Sequence, residues 1–209
     1  MLDSLIQFDT RLFYCVNSHH STFFDWFFYL FTTHLSWAVV LVLFFCFVTL
    51  RREARSWWAV LLGIALCFLL SDRISVLCFK DVVCRLRPCH ALPDVHMFRV
   101  GCGGQYGFVS SHAANSFSLA LFLALRYGFR HRKALKPSHG EASNTNHRHS
   151  CGWLVPVLAF LWAFTTSLSR VYLGKHYPGD ILCGALVGLA IGALVYWLLQ
   201  KIPATAKQG

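Results

Sequence analysis

Charge is scarce in this chain. Aspartate, glutamate, lysine and arginine supply 13% of its 209 residues, where a soluble domain carries about a quarter. Only nine of them are acidic, and no tight carboxylate cluster of the kind that binds magnesium is visible, so neither a metal nor a cofactor is expected. The opening MLDSLIQFDTRLFYCVNSHH has an acidic start and no small-residue cleavage site, which argues against a cleaved secretion signal. No internal repeat is apparent, and the length fits one domain over residues 1–209.

What is plentiful is apolar. Hydrophobic residues make up 56% of the chain, a balance that belongs to a membrane protein. The formal net charge of +10 would raise nucleic-acid binding in a soluble protein. Here the basic residues cluster between apolar stretches, so the topology of a membrane chain accounts for them first, and no nucleic-acid or obligate protein partner is expected.

Five apolar segments are long enough to be read as spans, each needing roughly 20 residues to cross about 30 Å of hydrocarbon. They lie near Phe23–Leu50, Trp57–Phe79, His112–Phe129, Gly152–Leu168 and Pro178–Leu199. The first is long and carries Asp25 and His34, which marks it as broken or tilted. Ahead of it, residues 3–18 place Leu5, Ile6, Phe8, Leu12, Phe13 and Val16 at mostly helical spacing. That piece is too short to span and reads as an interfacial helix. The expected fold is therefore all-α, a polytopic membrane bundle of about five spanning helices plus this N-terminal helix.

Lysine and arginine set the orientation. Segments 51–56, 126–151 and 201–209 hold three, six and two of them, eleven in all, against seven on the opposite side. The richer side is assigned to the cytoplasm. Residues 126–151, polar, basic and rich in Ser, Asn and His, read as a mobile cytoplasmic loop. His147 and His149 within it read as solvated loop residues rather than as metal ligands.

Three polar clusters then fall on the non-cytoplasmic side: KDVVCRLRP (Lys80 to Pro88), GFVSSHAANS (Gly107 to Ser116), and the stretch holding Ser169, Arg170, Lys175, His176 and Asp180. Charges at the edge of hydrocarbon are expensive and usually serve a site. Lys80, Arg87 and Arg170 are donors without acceptors, and guanidinium forks match phosphate oxygens two at a time. Ser110 and Ser111 precede a helix start, where free amides favour an anion. His112 and His176 suit nucleophile and proton-donor roles near neutral pH. Asp180, four residues beyond His176, is placed to orient its ring. Taken singly, each residue has a plainer reading: an interfacial cation, a helix-end histidine, a structural hydrogen bond. Three clusters on one membrane face outweigh those readings.

The clusters resemble the signature of the type 2 phosphatidic acid phosphatase superfamily: K-x6-R-P, P-S-G-H, then S-R-x5-H-x3-D. Lys80 to Arg87-Pro88 matches the first, and Ser169-Arg170, His176 and Asp180 match the third with its spacing. The middle motif departs, with Val109 for proline and Ser111 for glycine, a change that bears on how closely backbone approaches phosphate. The resemblance implies that His176 attacks phosphorus while Asp180 fixes its tautomer. Lys80, Arg87, Arg170, Ser110 and the Ser111 amide would hold the phosphate, and His112 would protonate the leaving oxygen and later activate water. It implies a metal-independent phosphatase of a lipid phosphate or diphosphate at the outer face of a bacterial inner membrane. The short chain is similar to members recycling undecaprenyl diphosphate. Members acting on lipid A or phosphatidylglycerol phosphate share the same core, and a non-catalytic anion or lipid transporter is the rival of a different class. The superfamily's vanadium haloperoxidases are soluble, which five spans oppose.

Among nine cysteines, Cys89 and Cys102 flank an outer loop containing His90 and His96. A disulfide in an oxidising compartment, a zinc site with the histidines, and free thiols are all open readings.

Overall fold

Three glycines on one helix face set the centre of the fold. The computed structural model of the protein describes residues 2–50, 57–128 and 153–200. The elements are α1 (Leu2–Asn17), α2 (Thr22–Thr32), α3 (His34–Leu50), α4 (Trp57–Ile74), α5 (Asp81–Val83), α6 (Pro88–Ala91), α7 (Ser111–Leu123), α8 (Leu154–Tyr172) and α9 (Pro178–Gln200). Wider π-helical turns continue α4 over Ser75–Lys80 and α7 over Ala124–Gly128. The described residues hold no β-sheet, only one isolated bridge between Leu86 and Tyr106. The all-α membrane architecture expected from the sequence is what forms.

Helix α7 is the hub, packed against α4, α8 and α9. Gly184, Gly188 and Gly192 line the α9 face toward it, at four-residue intervals. A Cβ on Gly184 would stand 2.6 Å from the Ser110 carbonyl oxygen. Cβ atoms on Gly188 and Gly192 would overlap the Ala114 and Ser118 carbonyls. Small residues on both helices allow this backbone approach, which replaces the hydrophobic driving force that lipid does not supply. On another face of α7, Ser71 of α4 donates to Ser118 Oγ at 3.1 Å, and Phe122 fills the notch at Gly63. The core continues through Val60, Cys67, Leu119, Trp162, Ile191 and Val195.

Among the described residues, three stretches are long and apolar enough to cross a membrane: Trp58–Val83, Leu154–Tyr172 and Pro178–Gln200. The pair Thr22–Thr32 and His34–Val42 meets the same test only when taken together and is bent by 62°, the shape of a broken span or a re-entrant loop within the expected first segment. The break falls at Thr33, whose backbone is extended. Ser36 Oγ lies 3.0 Å from both the Phe31 and Thr33 carbonyl oxygens, so its single hydroxyl hydrogen is shared between groups at the break. Asp25, the acidic residue in this segment, accepts from Tyr172 Oη at 2.8 Å and lies 2.7 Å from His96 Nε2. The fourth expected span runs four residues further than its sequence boundary, to Tyr172, and so carries Arg170 in its last turn.

Helix α1 is amphipathic in two directions. Phe13 is fully buried against Tyr177, with ring centroids 5.7 Å apart. Leu5, Ile6, Phe8 and Leu12 face outward. Its 16 residues reach about 24 Å, which suits an interfacial position. Asn17, at its end, bonds the His96 backbone at both N and O and the Tyr172 carbonyl. Cys89 and Cys102 are joined in a disulfide, and the His90 ring lies within 4.8 Å of both sulfurs. Residues 129–151 of the expected cytoplasmic loop, with His147 and His149, and the basic segments 51–56 and 201–209 lie outside the described residues.

Candidate active site

The site is assembled where α4, α7, α8 and α9 present their ends to one another. The π-helical continuation of α4 delivers Lys80. Arg87 sits immediately before α6, whose first residue is Pro88, and its Nε donates to the Tyr106 carbonyl at 3.2 Å. Ser110 caps α7: its Oγ accepts from Ala113 N, and its own amide donates to the Asp180 carbonyl at 3.1 Å. That last bond locks the start of α7 to the start of α9.

The turn after α8 brings Arg170 and His176 together. The Arg170 carbonyl accepts from both Lys175 N, 2.9 Å, and His176 N, 3.2 Å. Gly174, at φ +72°, makes the reversal in a region that L side chains rarely adopt. A Cβ there would also strike Val95.

All eight residues singled out from the sequence lie in this region, and the structure records three direct contacts among their side chains. Arg87 Nη1 lies 3.5 Å from His176 Nε2. His176 Nδ1 lies 3.5 Å from Asp180 Oδ2, an electrostatic approach longer than a good hydrogen bond. Lys80 Nζ donates to Ser111 Oγ at 2.8 Å. Arg170 donates to Thr32 Oγ1 at the break in the first segment. His112, half-buried on α7, meets Trp37 edge-on at 6.3 Å. No direct side-chain bond joins it to the other histidine.

Burial is deep. His176 is 2% exposed, Arg170 5% and Asp180 0%. None of Lys80, Arg87 and Arg170 has a carboxylate within salt-bridge distance among the described residues. Cations held this way are costly unless an anion shares the site. Burial, then the charges of Arg170, Arg87 and Lys80, hold His176 well below the ordinary imidazole range, so its ring is neutral at pH 7. Burial lowers Arg87 too, with Asp180 acting in the opposite sense. Lys175 is pushed down to about 8 by burial and by Arg170 and Arg87.

Four features were not singled out from the sequence. Arg85 bonds Asp180, and Asp9 bonds Arg85. Thr32 holds Arg170. Gly107 lies against the histidine–aspartate pair: a Cβ there would stand 3.2 Å from Arg87 Cγ and 3.3 Å from Asp180 Oδ2. Arg85 was visible inside KDVVCRLRP, although its acidic partners are 76 and 95 residues away. For Thr32 no local signal exists.

Buried cations, a neutral histidine and a carboxylate, gathered at one end of a membrane bundle, define a phosphate-handling membrane protein. The chain belongs to the PAP2 superfamily, whose model matches residues 57–204. It is 34% identical to the lipid A 4'-phosphatase of Bacteroides thetaiotaomicron, over 98% of this chain and 82% of that one. It is 27% identical to the lipid A 4'-phosphatase of Porphyromonas gingivalis, over 97% and 81%. Among solved structures, LpxE of Aquifex aeolicus superposes with a TM-score of 0.57 at 26% identity, covering 89% of this chain and 93% of that one. A transmembrane PAP2-type phosphatidylglycerolphosphate phosphatase from Bacillus subtilis superposes at 0.66 with 20% identity, covering 95% and 88%, and supports the fold. The protein is thus a multi-pass membrane lipid phosphatase, a phosphoric ester hydrolase.

Proposed function

We propose that this chain removes the 4'-phosphate of lipid A at the outer face of a bacterial inner membrane, through a phosphohistidine on His176. The observation that carries the chemistry is the placement of His176. Its Nε2 faces Arg87 at 3.5 Å and its Nδ1 faces Asp180 at 3.5 Å. One nitrogen points to the phosphate-binding cation and the other to the carboxylate that fixes the tautomer.

In this reading Lys80, Arg87 and Arg170 bind the non-bridging oxygens, with Ser110 and the Ser111 amide at the start of α7. Nε2 attacks phosphorus in line as the bond to the lipid oxygen breaks. His112 gives that oxygen a proton, so the lipid leaves as an alcohol. The same ring, now neutral, takes a proton from water, whose oxygen displaces His176 and releases inorganic phosphate. A bound dianion among these cations favours the protonated form of His112 that the first step needs.

Relatives matched over nearly the whole chain are named for lipid A, which favours lipid A over undecaprenyl diphosphate, the substrate suggested by chain length. The test is phosphate release by detergent-purified protein from lipid A, undecaprenyl diphosphate and phosphatidylglycerol phosphate. Lipid A should turn over fastest; faster turnover of undecaprenyl diphosphate would overturn the substrate. Base-quenched labelling should find phosphohistidine in the wild type and none in His176→Ala. Orientation rests on the lysine and arginine bias. A cysteine placed at Ser143, in a background without exposed native cysteines, should resist an impermeant thiol reagent in intact cells.

A further inference from the structure

Asp180 does not face His176 alone. Its Oδ1 accepts from Arg85 Nη1 at 2.9 Å, while its Oδ2 accepts from Tyr177 N at 3.0 Å and lies toward His176. Arg85 is pinned on two further sides. Its guanidinium lies 3.9 Å over the Tyr177 ring, and its Nη2 bonds Asp9 Oδ2 of helix α1 at 2.7 Å. Asp9 then reaches α9 itself, where Oδ1 accepts from Gly179 N at 2.7 Å. A side chain at 179 would destroy this approach, since a Cβ there would stand 2.8 Å from Asp9 Oδ2.

We infer that Arg85 and Asp9 are positioning residues for Asp180, which makes helix α1 part of the catalytic assembly. The inference rests on the reading of His176 and Asp180 given above. Two bonds, one on each oxygen, fix the plane of the Asp180 carboxylate and leave Oδ2 aimed at Nδ1. Charge matters as much as geometry. Arg85 alone would neutralise Asp180 and weaken it as an acceptor. Because Asp9 shares the guanidinium, the trio keeps one net negative charge for the histidine. The outward face of α1, with Leu5, Ile6, Phe8 and Leu12 exposed, ties that trio to the bilayer surface from which a lipid substrate arrives.

A plain surface salt bridge would stabilise the fold without touching the histidine, so the test reads the histidine directly. Nitrogen-15 NMR of the detergent-solubilised full chain, with labelled histidine, reports the His176 tautomer in the absence of substrate. The wild type should hold the proton on Nδ1. Arg85→Gln and Asp9→Asn should shift the population toward Nε2–H and lower kcat by about 10²-fold, the scale of a small misplacement of a reacting group, with KM unchanged. Arg85→Lys, which keeps the charge but cannot fork between two carboxylates, should fall between. Asp9→Asn is isosteric and still accepts from Gly179, so it decides the matter should Arg85→Gln fail to fold. A wild-type tautomer and kcat in Asp9→Asn would overturn the inference, even with a lowered Tm. If the tautomer shifts while the wild type hydrolyses no lipid phosphate, the clamp stands and the phosphatase mechanism falls.

Discussion

Lys80 and Ser111 are joined by a 2.8 Å hydrogen bond from Nζ to Oγ, across 31 residues of sequence. The serine stands where the motif it resembles has glycine, and its hydroxyl holds the ammonium in place through one of the three lysine donors, leaving two for an anion. A hydrogen bond to a charged group contributes about 1.5–3 kcal/mol. Ser111→Ala and Ser111→Gly should therefore raise KM about tenfold or more, with a smaller change in kcat. Ser111→Thr, which keeps the hydroxyl, should stay near wild type. Steady-state kinetics on lipid A vesicles in detergent measures all three.

Arg87 and Arg170 are buried, and their value lies in shape as well as charge. Lysine keeps the charge but not the planar fork. Arg87→Lys and Arg170→Lys should each lose about 10²-fold or more in kcat, the scale of removing one transition-state contact. Phosphate release by variants with wild-type Tm checks this, and wild-type turnover in both would remove them from the site.

Lys175 gives the site a basic limb. Its amine, pushed down to about 8, is charged below that pH and neutral above it. Attraction for an anionic lipid should then weaken as pH rises through about 8, so kcat/KM should fall there. Lys175→Arg should remove the part of that fall centred at about 8, because guanidinium stays charged, and Lys175→Gln should be low and lack that step too, both keeping the limb set by the His112 proton. His176, held below the ordinary imidazole range, should keep the acid limb below about pH 6.5. A pH profile of kcat/KM for the three proteins separates the two groups.

Helix packing offers a test outside the site. Gly188→Ala gains about 1 kcal/mol of helix propensity. Its methyl group meets the Ala114 carbonyl, however, and forcing apart a packed interface costs about 1–3 kcal/mol or more. The Tm should fall, and kcat with it, since the Ser110–Asp180 backbone bond depends on the same approach of α7 to α9. Gly101→Ala, where a Cβ would meet nothing within 4 Å, should leave Tm unchanged.

Much of this was written in local pattern. Apolar length announces a span without any tertiary knowledge, because the bilayer demands it of each helix separately. Thus Trp57, Pro178 and the neighbourhood of Ser111 were found as helix starts, and residues 3–18 as a helix too short to cross. Lys80, Arg87, Arg170, His176 and Asp180 stood out because charge beside hydrocarbon is expensive, and their spacing carried the family. The clamp on Asp180 was not legible. Asp9 and Arg85 are ordinary interfacial charges until the docking of α1 puts one carboxylate on each side of a guanidinium. Thr32 gains its role only because the first segment breaks at Thr33, and Ser111 because the π-helical turn after α4 carries Lys80 to it. Sequence alone determined which residues had to be near a membrane face and what chemistry their side chains allow. The tertiary structure alone decided which of them touch, since a hydrogen bond is lost within about an ångström and no local spacing fixes distances between helices that finely.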